Sequence, residues 1–229
     1  MRRARTLVLA ILGAIVAATA SALPANAQPT AGAQAERNPI LFVHGWAEAD
    51  WVWNTMIDRF RQDGWSDDEL HNWKYNTGQS NKKTAREVRQ KVNEILSQTG
   101  AEQVDLITHS MGGLNTRWYI KFLGGAPQVD DWVSLGGPNH GTEIAGLCGF
   151  LQSCVEMQVG SDFLAQLNAG DETPGQVNYG TFWSTTDAII NPNKSVLLDG
   201  AANHNVGDVG HIALTQDANV YEGVRDFVR

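Results

Sequence analysis

Cysteine is almost missing from this chain: Cys148 and Cys154 are the only two among 229 residues. A catalytic thiol is a poor reading of them, and a metal site a poorer one still, because they have no co-ligands at finger spacing. Basic residues are also scarce, with 17 Lys and Arg against 25 Asp and Glu and a net charge of −8. That balance argues against nucleic acid or an anionic membrane surface as a partner. Beyond the first twenty residues no segment is apolar enough to span a bilayer. Internal repeats and long low-complexity linkers are absent too, which leaves a single domain.

What is present begins at the N-terminus. Arg2, Arg3 and Arg5 are followed by an apolar run from Leu7 to Ala20, then by Ala25-Asn26-Ala27 as a small-x-small cleavage site. This is the pattern of a secretory signal peptide over residues 1–27, too short in its apolar core to serve as an anchor. Its removal takes away three arginines and no acid, so the net charge of the exported chain drops to about −11. In an exported chain, two cysteines are expected to pair. A Cys148–Cys154 bridge closes a tight loop and contributes about 2 kcal/mol in the chain-entropy description.

Residues 28–37 read as a flexible tail, and residues 38–229 as the folded domain. Within it, strand and helix signals alternate. Ile40-Leu41-Phe42-Val43 is a short continuous apolar run, as in a strand buried on both faces. Trp53, Met56, Ile57 and Phe60 recur at helical spacing. Leu70 to Tyr75 is a weaker strand. Thr84-Ala85-Arg86-Glu87 has the form of a capping box before a helix that Gly100 ends. A strand at Val104, a helix from Met111 stopped by Gly124-Gly125, and strands near 129–135, 179–185 and 203–206 follow. Asp217 is placed to cap a final helix carrying Val220, Tyr221, Val224, Phe227 and Val228 on one stripe. Such alternation predicts an α/β fold: a mostly parallel six-stranded sheet with helices on both faces and a site at the strands' carboxyl ends.

The chemistry is concentrated at Thr108-His109-Ser110-Met111-Gly112-Gly113, between a strand and a helix. A serine on so tight a turn is a nucleophile elbow, and small neighbours let the helix pass the strand. Thr108 stands where the G-x-S-x-G pattern has its first Gly. A serine needs a base and an acid that orients it. His211, in the loop between the last strand and the last helix, is the preferred base, with His140 and His204 as competitors; the side chain of His109 must point away from Ser110. Asp187, after the strand at Tyr179, is the preferred acid over Asp162, Asp171, Asp199 and Asp208. The order Ser110, Asp187, His211 is that of nucleophile, acid and histidine in α/β-hydrolases. The backbone amides of Trp46, after His44-Gly45, and of Met111 would form an oxyanion hole.

With Leu41-Phe42-Val43-His44-Gly45, the Ser110 elbow, Leu135-Gly136-Gly137-Pro138-Asn139-His140-Gly141-Thr142, Ser184-Thr185-Thr186-Asp187 and Val209-Gly210-His211-Ile212, the chain resembles the small secreted bacterial triacylglycerol lipases of class 2. The resemblance covers essentially all of the domain and implies a minimal α/β-hydrolase fold. It implies Ser110, Asp187 and His211 as triad, Trp46 and Met111 as oxyanion donors, and a secreted enzyme without cofactor or metal.

The expected activity is hydrolysis of acylglycerol esters through an acyl-enzyme on Ser110. A carboxylesterase or polyester hydrolase, an acyltransferase using the same triad, and a non-catalytic binding module remain as alternatives. The expected partner is an ester or lipid substrate, with the chain a monomer. Between Gly136 and Tyr179 lie too few residues for a cap domain. Ile144, Leu147, Phe150, Leu151, Val155 and Met157 in that stretch read either as ordinary core or as a fixed wall of the acyl groove beside Trp46.

Overall fold

The computed structural model describes residues 37–229. The expected signal peptide and all but the last residue of the expected tail lie outside the described residues. The elements, in chain order, are β1 (Ile40–Val43), α1 (Asn54–Gln62), β2 (Leu70–Asn72), α2 (Asn81–Thr99), β3 (Val104–His109), α3 (Gly112–Phe122), β4 (Val129–Leu135), α4 (Gln152–Met157), α5 (Asp162–Asn168), β5 (Asn178–Trp183), β6 (Ala202–Asn205) and α6 (Ala218–Phe227). The strands form one sheet in the order β2-β1-β3-β4-β5-β6, every pair parallel. This is the expected α/β architecture, with no antiparallel member among the described strands.

Alternation along each strand divides the core in two. Leu41, Val43, Val104, Leu106, Trp132 and Tyr179 face one side, where α2 and α3 supply Val88, Val92, Ile95, Leu114 and Tyr119. Ile40, Phe42, Ile107, Val133 and Phe182 face the other, covered by Met56 and Phe60 of α1 and Val220 and Val224 of α6. A strand whose two faces are both apolar is buried only between two helical layers, and this is why these runs read as continuous rather than alternating. Gly100 ends α2 in the left-handed conformation at φ 76°, and the Asp217 carboxylate accepts the amides of Asn219 and Val220 at the start of α6.

Two expected boundaries move by three residues or more. The α2 helix starts at Asn81, capped by the Ser80 hydroxyl, one turn before the Thr84 box. The cause is distant in sequence: the Glu156 carboxylate on α4 accepts the Ser80 hydroxyl at 2.6 Å and the Asn81 amide, placing an anion on the helix N-terminus. The strand β2 stops at Asn72 rather than Tyr75. Tyr75 instead turns inward, stacks on His44 with ring centroids 4.2 Å apart and donates its hydroxyl to the His44 carbonyl.

At the amino ends of β3 and β4, opposite the serine, Asp105, Asp130 and Asp131 bring carboxylate oxygens within 4.8 Å of one another. Asn38 bridges Asp105 and Asp130, and Asn178 donates to Asp131. Burial, reinforced by Asp131, pushes the Asp105 carboxyl well above its ordinary value, and burial raises Asp131 to about 6. An acid that holds its proton more tightly when folded costs stability once pH exceeds its unfolded value near 3.9, and the full cost is reached above the folded value. Asp105→Asn, which keeps an acceptor for the Asp131 amide, should therefore raise the thermal midpoint by roughly 2–6 °C at pH 8. The gain should vanish near pH 4. Calorimetry at both pH values tests this, and an unchanged midpoint at pH 8 would refute the charge penalty.

Candidate active site

Ser110 sits between β3 and α3 with φ at 53°, one of two non-glycine residues with positive φ among those described. The other is Ala47, at φ 56° and beside Trp46. Strained backbone at two adjoining turns is characteristic of sites that over-determine their geometry. The Ser110 amide is held by the Leu135 carbonyl at 2.9 Å, and its carbonyl accepts from Gly113 at 3.0 Å. The elbow depends on Gly112, where a Cβ would collide with the Val43 carbonyl oxygen and lie 2.9 Å from that of His44. Thr108 is accommodated because its hydroxyl donates to the Val133 carbonyl on the adjacent strand at 2.9 Å.

The loops after β5 and β6 converge on the same edge. His211 Nδ1 donates to Asp187 Oδ2 at 2.7 Å, with both side chains almost wholly buried. The other Asp187 oxygen accepts the amides of Ile189 and Ile190 at 2.9 and 3.0 Å. Burial favours the protonated acid, but the His211 hydrogen bond and charge and these two amides outweigh it and hold Asp187 below its ordinary value. Burial also dominates His211 and lowers its imidazole below the ordinary value of 6.5, against the raising effect of Asp187. The ring is therefore neutral at neutral pH, with Nδ1 carrying the proton and Nε2 left as an acceptor. Gly136, at φ 58°, makes room for the pair: a Cβ there would lie 3.2 Å from both Asp187 Oδ2 and His211 Nδ1.

Ser110 and His211 line one cavity of about 500 Å³, without a side-chain hydrogen bond between them. Trp46, Trp51, Ile144, Leu147, Met157, Ile189, Ile190 and Ile212 are among the residues that wall it. Among the described residues, the amides of Trp46 and Met111 donate to no protein group. Cys148 and Cys154 are joined as a disulfide, with Cys148 in the cavity wall. The wall reading of the 144–157 stretch fits Ile144, Leu147 and Met157; Met157 also belongs to the core, against which Leu151 packs, whereas Phe150 and Val155 are exposed and belong to neither. The α4 helix is fastened at two further points, by Glu156 on the α2 N-terminus and by the Ser153 hydroxyl on the Thr77 carbonyl at 2.6 Å.

The competing histidines lie elsewhere. His140 pairs with Glu172 at 2.9 Å on the surface, and His204 stacks on Phe182 along the exposed edge strand β6. Asp171 accepts the Thr173 amide and Asp208 the Thr185 hydroxyl, both exposed. The sequence reading assigned no role to Glu48, yet it lines the cavity. Its carboxylate accepts the Gly45 amide at 2.6 Å and meets His109 Nδ1 at 2.9 Å. Its one sequence signal is its position three residues after Gly45, in the loop that follows the first strand.

The family model for class 2 lipases matches residues 37–220. The chain belongs to the class 2 lipases. Among solved structures, this lipase-family chain is similar to Bacillus licheniformis lipase BlEst2 in mature form, with a TM-score of 0.72 and 18% identity over 86% of this chain and 94% of that one. Aspergillus fumigatus lipase B gives 0.70 and 18% over 81% of this chain, which spans only 51% of that larger protein. An α/β-hydrolase from the metagenome of lagoon sediments at Mar Chica gives 0.60 and 17%, covering 83% and 90%. The class 2 lipase has the α/β-hydrolase fold and is an ester hydrolase.

Proposed function

We propose that this class 2 lipase hydrolyses acylglycerol esters through an acyl-enzyme on Ser110, and that it is exported after cleavage behind Ala27 and acts as a monomer. The observation that carries the reading is the apolar cavity lined by both Ser110 and a neutral His211, with His211 anchored on Asp187. In this reading His211 takes the Ser110 proton as the hydroxyl attacks the ester carbonyl, while the Trp46 and Met111 amides stabilise the oxyanion. His211 then protonates the leaving alcohol, and water releases the acid by the reverse sequence. The steps consume the ester and one water and release the alcohol and the acid, with the Ser110 and His211 protons restored at the end.

Several features support a lipid ester over a small polar one. The cavity lies within the size range of small-molecule sites and is lined mainly by carbon. Around its mouth stand Trp51, Leu147 and Ile212, well exposed. Each methylene of an acyl chain buried there contributes about 0.8 kcal/mol, or up to about fourfold in kcat/KM. A series of p-nitrophenyl esters from C2 to C16 should therefore rise from C2 to a maximum at C6 or beyond, and emulsified triglyceride should be cleaved. Because α4 is fastened at both ends, tributyrin hydrolysis should show no abrupt rise as the substrate passes its solubility limit. A maximum at C2 with inert triglyceride would make the enzyme a short-chain esterase.

A further inference from the structure

The elbow carries a second histidine whose surroundings are as closely built as those of His211. His109 Nε2 lies 3.0 Å from the backbone carbonyl oxygen of His211, and Nδ1 lies 2.9 Å from Glu48 Oε2. A carbonyl can only accept, so Nε2 carries a proton. The Glu48 oxygen that faces Nδ1 already accepts the Gly45 amide. Burial raises the Glu48 carboxyl, but the charge and hydrogen bond of His109 and the Gly45 amide outweigh this and keep it below its ordinary value. Glu48 is thus a carboxylate, and Nδ1 must donate to it. The side chains are 0% and 7% exposed for His109 and Glu48.

A buried ion pair is a weak device for stability, since well-packed apolar residues of the same volume serve as well or better. Its placement suggests another use. Glu48 belongs to the loop that follows β1 and carries Trp46; His109 ends β3 next to Ser110; the carbonyl that accepts from His109 belongs to His211 itself. One pair therefore ties together the three segments that bear the oxyanion donor, the nucleophile and the base. The His109 ring also lies 4.6 Å from the His211 ring and 6.4 Å, edge-on, from that of Trp53.

We propose that Glu48 and His109 are a positioning pair that fixes the three segments in register and sets the charge felt by the His211 imidazole. This rests on the reading of His211 as the base. The charged groups facing His211 are Asp187 from the loop after β5, Glu48 from the loop after β1 and His109 from the elbow. Asp187 and Glu48 favour its protonated form, and His109 opposes it. His44, with Asp50 near it, also feels the charges of Glu48 and His109.

The test is the pH profile of kcat/KM on a dissolved short ester for the wild type, His109→Gln, Glu48→Gln and the double variant. Removing the His109 cation while Glu48 stays anionic should move the acid limb to higher pH by about half a unit or more. Removing the Glu48 anion should move it to lower pH, and the double variant should lie between the two. In His109→Gln, kcat should fall by about tenfold or more, with KM within about threefold, because His109 is not among the residues that line the cavity. A loss of kcat with every acid limb unmoved would leave the pair merely structural and overturn the proposal. Should His109→Gln fail to fold, the Glu48→Gln limb alone decides in the same way. His211→Ala, assayed alongside, separates the two readings. Residual activity above about a tenth removes His211 as base, whereas an inert His211→Ala beside unmoved limbs removes only the pair.

Discussion

Ser110→Ala is expected to reduce ester hydrolysis by about 10³-fold or more in kcat while the protein folds as before. The asymmetry follows from what the hydroxyl does in the fold. Its residue is held through the backbone, by the Leu135 carbonyl and the Gly113 amide, and the side chain makes no hydrogen bond among the described residues. Alanine also leaves the φ of 53° no more strained than serine does. The thermal midpoint should accordingly stay within about 2 °C. Activity on p-nitrophenyl butyrate, with the midpoint by circular dichroism, checks both halves. Retention of more than about a tenth of the rate in a folded variant would remove Ser110 from the mechanism. A non-catalytic use of the cavity would then have to be reconsidered.

The parts of this enzyme that were legible in the sequence are those written locally. The continuous apolar runs at Ile40 and Val104 mark strands covered on both faces because every second residue serves a different helical layer. The elbow is legible because a strand run, a serine, two glycines and a helical stripe succeed one another within twenty residues. Asp187 and His211 were found by chain order after successive strands, and the structure places them 2.7 Å apart. What the sequence does not show is contact between segments far apart in the chain. The α2 helix begins at Asn81 because of Glu156, 75 residues later, and no local pattern at Ser80 announces that carboxylate. Asp105 reads as a polar intrusion in a buried strand until Asn38 and Asp130 arrive from two other segments. The same holds for Glu48, whose partner His109 lies 61 residues away. His109 itself was recognised only by where its ring could not point. Local patterning therefore picked out Ser110, Asp187 and His211, the residues proposed as nucleophile, acid and base. The groups that hold them in register depend on tertiary contacts that such patterning does not encode.

Asp187→Asn should be nearly as damaging as loss of the serine, for a reason that lies in the direction of one hydrogen bond. Asp187 Oδ1 accepts two backbone amides, from Ile189 and Ile190. An asparagine keeps those bonds only by leaving its carbonyl oxygen there and turning its NH₂ toward His211 Nδ1. That group donates, so Nδ1 must give up its proton and accept, and the imidazole switches to the tautomer protonated on Nε2. The nitrogen that should take the Ser110 proton is then already occupied. A loss of about 10³- to 10⁴-fold in kcat follows, with KM little changed because the cavity wall is untouched. The wild type supplies the reference profile. Burial holds His211 below 6.5, so the acid limb of kcat/KM should have its midpoint below that pH, with the rate falling as the ring gains a second proton. Steady-state kinetics from pH 4.5 to 9 on both forms, with unfolding midpoints as a control, decide the matter. A folded Asp187→Asn that keeps more than about a tenth of the wild-type rate would mean that another group orients the base.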